Sequence, residues 1–119
     1  MKDFRTLQVW QRSHQLTLDI YKVTQVFPRE EAYGLTSQMR RSSASIPTNI
    51  AEGCGRNGDA ELCRFLHIAA GSASELEYQL ILAHDLNYLD SAKFEQLNQD
   101  VNLIKRMLNV FSQKLKANS

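Results

Sequence analysis

The sequence predicts an all-α fold, an antiparallel up-down-up-down four-helix bundle that takes up residues 1–119 as a single domain. Three observations carry that prediction. Apolar residues recur at spacings of three and four in four successive stretches, the period of an amphipathic helix. Gly and Pro together supply only seven of 119 residues, too few for a loop-rich β-fold. The breaks between the periodic stretches are short, which favours antiparallel neighbours. A hydrophobic content of 43% against 23% charged residues suits a globular chain of this length, which buries roughly two thirds of its unfolded surface.

The first helix is predicted from about Thr6 to Phe27, on the repeat Leu16, Ile20, Val23, Phe27 and a flanking stripe of Trp10, His14, Thr17 and Tyr21. Pro28 ends it, because proline disfavours the α conformation in the residue before it. The second opens near Leu35-Thr36 after Gly34 and closes around Gly53-Cys54-Gly55, with Leu35, Met39, Ser42, Ile46 and Ile50 as its inward stripe. Pro47 falls inside and denies the carbonyl of Ser43 its helical hydrogen bond, so a kink or short break is expected there. Ser42, Ser43, Ala44 and Ser45 are small enough to let a neighbouring helix approach closely.

The third helix follows Asn57-Gly58, with Asp59 expected as its N-cap and Glu61 in the first turn. Leu62, Phe65 or Leu66, Ala69, Ala73, Leu76, Leu80 and Ala83 continue a core seam to about Leu86. The fourth, capped by Asp90 or Ser91, carries the most regular signal in the chain: Phe94, Leu97, Val101, Ile104, Leu108, Phe111 and Leu115.

Helices two and three also hold polar residues beside their apolar seams. Gln38, Arg41, Ser45, Asn49 and Glu52 form one stripe about 100° from the core line, and Glu75 belongs to the corresponding line of the third helix. A charge beside a core is tolerated when paired and hydrogen-bonded. These residues are therefore read as an interhelix or intersubunit interface, with Arg41 more buried than Arg40.

Charge is unevenly spread: residues 1–58 sum to +3, 59–100 to −6 and 101–119 to +4, within a net charge of +1. Catalytic chemistry is not indicated. None of the three histidines has a Glu three positions before it, where Gln11, Arg64 and Ile81 stand, so the carboxylate-histidine pairs of di-iron bundles are missing. Cys54, Cys63 and His67 could share a metal, but a satisfied thiol and a surface histidine are the simpler reading. Gly53-Cys54-Gly55-Arg56-Asn57-Gly58 has the glycine spacing of a nucleotide-binding loop yet follows a helix, not a strand, and is read as a terminator and turn. The expectation is no enzyme, no metal and no cofactor. No apolar segment of about 18 residues occurs, nor an apolar run after Met1-Lys2-Asp3-Phe4-Arg5, so no membrane association and a cytoplasmic location are expected.

The stretch from Gln38-Met39-Arg40-Arg41-Ser42-Ser43-Ala44-Ser45-Ile46-Pro47 through Thr48-Asn49-Ile50-Ala51-Glu52-Gly53, together with Ala69-Ala70-Gly71-Ser72-Ala73-Ser74-Glu75-Leu76-Glu77, Trp10 and Phe27-Pro28, resembles the four-helix-bundle family encoded in the 23S ribosomal RNA intervening sequence. That family is similar to the accessory variability protein of diversity-generating retroelements. The resemblance implies a ring-shaped homo-oligomer, a homopentamer, and contact with RNA or DNA, with a reverse transcriptase as the model of a protein partner. Arg40, Arg56, Lys105, Arg106, Lys114 and Lys116 are the candidate nucleic-acid contacts. Repetition around a ring would turn these scattered cations into a continuous positive surface. A protein–protein adaptor without nucleic-acid binding is the alternative.

Overall fold

The computed structural model describes residues 2–118, so Met1 and Ser119, the ends of the expected domain, lie outside the described residues. Its long elements are α1 (Gln8–Thr24), α2 (Leu35–Cys54), α3 (Asp59–Asp85) and α4 (Ser91–Ala117), with short 3-10 turns at Phe4–Thr6 and Arg29–Glu31. Contacts across each pair fix the topology. Thr17 meets Ser43 and Thr24 meets Arg40; Ser45 meets Ser72 and Ser42 meets Gln79; Cys63 meets Ser112 and Glu77 meets Lys105. In every pair the residue numbers run in opposite directions, so successive helices are antiparallel. α1 also packs on α4, which closes a four-helix bundle of 46 × 23 × 20 Å.

The core follows the predicted stripes. Leu16 and Ile20 of α1, Met39, Ile46 and Ile50 of α2, Leu66, Leu76 and Leu80 of α3, and Leu97, Val101, Ile104 and Leu108 of α4 are all buried. α2 and α3 approach closely through small residues. A methyl group on Gly53 would stand 2.8 Å from Cβ of Phe65, so only glycine fits that crossing.

Element ends depart from the sequence reading for local reasons. α1 stops at Thr24, short of Phe27. Its last turn tightens into bonds from Gln25 N–H to Lys22 O and from Phe27 N–H to Thr24 O, which turns the Phe27 ring inward against Tyr88 at 5.2 Å. At the other end Thr6 belongs to a separate turn capped by Asp3, and Leu7 is extended. The cap of α3 is Gly58, not Asp59: at φ 89° it occupies a backbone region closed to most side chains, and Asp59 becomes the first helical residue. α4 starts as expected, with Asp90 accepting from the Lys93 N–H at 2.7 Å.

α3 ends in a left-handed residue, Asn87 at φ 65°, with Tyr88 N–H bonded to Ala83 O and Asn87 N–H to His84 O. No break occurs at Pro47, because α2 is continuous from Leu35 to Cys54. The Ser43 carbonyl that proline deprives of its helical donor lies 3.0 Å from the Thr17 hydroxyl of α1, whose one proton it shares with Ser13 O at 2.9 Å. Among the described residues no helix is long and apolar enough to cross a membrane.

Candidate functional site

The antiparallel topology gathers four chain segments at one end of the bundle: the start of the chain, the end of α2, the start of α3 and the end of α4. Lys2 and Arg56 face a shallow depression beside Gly58, while Arg64, His67 and Lys116 line an adjoining cleft of about 380 Å³ with Cys63. Lys114 lies on the same end beside the first residues of α1. Of the carboxylates there, three are engaged by arginine, Asp3 with Arg5 at 3.0 Å, Glu52 with Arg56 at 2.8 Å and Glu61 with Arg64 at 2.9 Å, while Asp59 lines both depressions. The guanidinium groups of Arg56 and Arg64 also flank the Phe65 ring, at 5.1 and 4.5 Å from its centroid. The hydrogen bond from Arg64 holds the Glu61 carboxyl below its ordinary range.

The six candidate cations therefore do not meet on one patch of a single chain. Arg56, Lys114 and Lys116 share this end, and Arg106 lies farther along α4, exposed. Lys105 is committed to structure: its ammonium donates to Glu77 at 2.8 Å across the α3–α4 seam, and this bond lowers the Glu77 pKa. Arg40 sits toward the opposite end of α2, about 20 Å from the Cys54 end at 1.5 Å per residue. It donates to Thr24 Oγ1 at 2.9 Å and Tyr21 O at 3.2 Å, and lies over the Tyr21 ring at 4.8 Å.

That placement reverses the expected order of the two arginines within the chain. Arg40 is half-buried and Arg41 is exposed. The helical rotation between adjacent residues brings Arg40, not Arg41, over the α1 seam. Gln38, Glu52 and Glu75 are exposed as well, whereas Ser45 and Asn49 are half-buried. The α2–α3 cross-link is made by hydroxyl and amide groups instead of ions: Ser45 with Ser72 at 2.8 Å, and Ser42 donating to Gln79 Oε1 at 2.6 Å. Gln79 in turn donates to Glu75 at 3.4 Å, and Asn49 folds back on Ser45 at 2.8 and 2.9 Å.

The cysteines are separate, buried thiols. Cys63 Sγ donates to Ser112 O at 3.8 Å, and burial raises the Cys54 pKa. The glycine-rich segment 53–58 forms the α2 terminus and the turn into α3, as its position after a helix indicated.

Two arrangements carried little sequence signal. Glu31 uses both carboxylate oxygens: Oε1 accepts the Leu35 N–H at 3.1 Å and Oε2 the Tyr88 hydroxyl at 2.8 Å, tying the start of α2 to the α3–α4 turn. Between α1 and α4, Asp19 and Asp100 share a recess with Arg12 and Gln15, and burial first, then Asp19, raises the Asp100 pKa.

The chain matches the family model described as 23S rRNA-intervening sequence protein over residues 5–110. A crystal structure of a protein of unknown function from the S23 ribosomal protein family of Bacteroides thetaiotaomicron superposes with a TM-score of 0.79 at 27% identity, covering 87% of this chain and 97% of that one. No curated protein matches the chain. Matched by that family model over residues 5–110, nearly its whole length, the chain belongs to the 23S rRNA-intervening sequence protein family.

Proposed function

We propose that this chain is a non-catalytic, oligomeric helical scaffold of the cytoplasm that binds RNA or DNA through backbone phosphates without reading sequence. The observation that carries the reading is the gathering of Lys2, Lys114 and Lys116 at one end of the bundle, beside Arg56 and Arg64, whose pairs with Glu52 and Glu61 are more exposed to solvent than the Lys105–Glu77 pair. A single copy with net charge +1 is a poor ligand for a polyanion. Copies arranged about an axis with this end facing the same way multiply the field.

Assembly is favoured by the outer face of α2 and α3. Ile68 and Tyr78 of α3 are 41% and 61% exposed, and Arg41 of α2 has no partner among the described residues. The resemblance read from the sequence, of this family to the accessory variability protein of diversity-generating retroelements, is what suggests a ring, a homopentamer, and nucleic-acid contact. The Phe65 ring at this end is buried and covered by Arg56 and Arg64, so its stacking on bases contributes little.

Size exclusion with light scattering should return several times the 13.6 kDa chain mass. Fluorescence anisotropy should show RNA and DNA binding whose log–log salt slope is roughly −0.7 to −0.9 per phosphate neutralised. A monomer at micromolar concentration removes the oligomer. Absence of association at low salt replaces nucleic-acid binding with the protein-adaptor reading.

A further inference from the structure

We propose that the groove between the start of α1 and the last turns of α4 is a docking site for an acidic amphipathic helix of a partner protein. The groove is about 500 Å³ and is floored by Val9, Met107, Val110 and Phe111, with Leu7 at its mouth. It is open because of how the chain enters α1. The Phe4–Thr6 turn packs on α1, where Phe4 meets Trp10 edge-on at 5.1 Å, and on α2, and leaves the flank of α4 uncovered. Val110 is 48% exposed as a result.

The charged groups that line it are both cations, with Gln8 the one other polar lining residue. Arg106 and Lys114 flank Val110 on α4 at positions i, i+4 and i+8, which sets the two charges about 12 Å apart along the helix. Neither has an ion-pair partner among the described residues. No carboxylate lines the groove, residues 101–118 contain none, and the first turn of α1 has none. An apolar floor gains nothing from a phosphodiester but is stabilised by apolar side chains. The complement is thus a helix with carboxylates seven or eight residues apart and apolar residues between them, laid into the groove by its apolar face.

A second copy of this chain does not meet that description. Its helices contain one carboxylate pair at that spacing, Glu77 and Asp85, and Glu77 is held by Lys105 at 2.8 Å.

The test uses the full chain, labelled with 15N, and two synthetic helical peptides. One carries Glu seven residues apart around a Leu-Ile stripe; its twin carries Lys in place of Glu. The acidic peptide should give saturable shifts confined to Leu7, Val9, Met107, Val110 and Phe111, and the twin should give none. Arg106→Glu with Lys114→Glu should lower affinity for the acidic peptide at least tenfold and admit the twin. Val110→Gln should weaken the acidic peptide severalfold while leaving nucleic-acid affinity and its salt slope unchanged, which separates this proposal from the function proposed above. No saturable shift at the groove, or equal affinity after charge reversal, overturns it. So do groove resonances that move with dilution alongside molecular mass, which would make a second copy the occupant. Groove shifts caused by an oligonucleotide and not by the acidic peptide would assign the groove to nucleic acid instead.

Discussion

The hydroxyl of Thr17 reaches from α1 to the carbonyl oxygen of Ser43 at 3.0 Å, and that carbonyl is the one Pro47 leaves without a helical donor. A helix defect is thereby converted into an interhelix bond. Thr17→Val should cost about 1–3 kcal/mol, because the one hydroxyl proton that Ser43 O and Ser13 O share is lost from a buried site. In a Pro47→Ala background the residue 47 N–H returns to Ser43, and the same substitution should cost less than half as much. Urea unfolding of the four proteins in this cycle measures the coupling. Equal costs in both backgrounds would show that the hydroxyl does not serve the proline site.

Arg40 and Arg41 should separate cleanly. Arg40→Ala removes two hydrogen bonds and the contact with the Tyr21 ring, and should destabilise the fold by about 1 kcal/mol. Arg41→Ala should stay within about 0.5 kcal/mol, as exposed substitutions do. Thermal unfolding ranks the two; a larger loss for Arg41 would place it in a contact that only the assembled protein makes.

The helices and their core seams were legible because burial writes a periodic signal along each one. Leu35, Met39, Ser42, Ile46 and Ile50 form an unbroken line of buried residues in the sequence and in the fold alike. Arg40 and Arg41 were misordered because a guanidinium can snorkel from either side of a seam. Rotation of one residue decides which aliphatic stem reaches α1, and an apolar stripe leaves that choice open. Pro47 was read correctly as a lost bond, but its remedy lay 30 residues earlier in Thr17, beyond any local pattern. Arg106 and Lys114 were legible as cations but not as the rim of a groove, for a related reason: they and Val110 sit beside the seam of α4, and what covers them depends on where the chain ahead of α1 goes.

Glu31 caps α2 from outside the helix, and its second oxygen holds Tyr88. Glu31→Ala should lower stability by about 1–2 kcal/mol, the range of a lost N-cap. Tyr88→Phe removes only the hydroxyl and should cost less. The double variant should cost less than the two single ones added together, which calorimetry on the set can read.

Asp100 has a folded-state pKa above its ordinary 3.8, caused chiefly by burial and then by Asp19. A raised carboxyl pKa means that the folded state holds the proton more tightly, so the ionised group is a liability at neutral pH and relief comes as pH falls through the folded value. Asp100→Asn should raise stability at pH 7 by about 0.5 kcal/mol, the scale of a partly exposed charge pair. That advantage should vanish below the ordinary carboxyl value. A constant difference from pH 7 to pH 3 would mean that packing, not charge, is responsible.

Lys105 and Lys114 lie on the same helix but should behave differently when neutralised. The hydrogen bond from Lys105 lowers the Glu77 pKa below 4.5, so its stabilisation is fully present above that value and is lost as pH falls through the folded pKa. Lys105→Met should therefore cost about 1 kcal/mol at pH 7, with the deficit shrinking as Glu77 takes up its proton. Lys114→Met has no such pair to break and should leave the unfolding midpoint unchanged at both pH values. In anisotropy titrations the order should invert, with Lys114→Met weakening nucleic-acid binding and reducing the salt slope by roughly one counterion per subunit contact. Lys105→Met should change both only slightly, because its ammonium is already spoken for by Glu77. A Lys105 variant that keeps its stability but loses nucleic-acid affinity would return Lys105 to the binding surface and show that Glu77 yields it to phosphate.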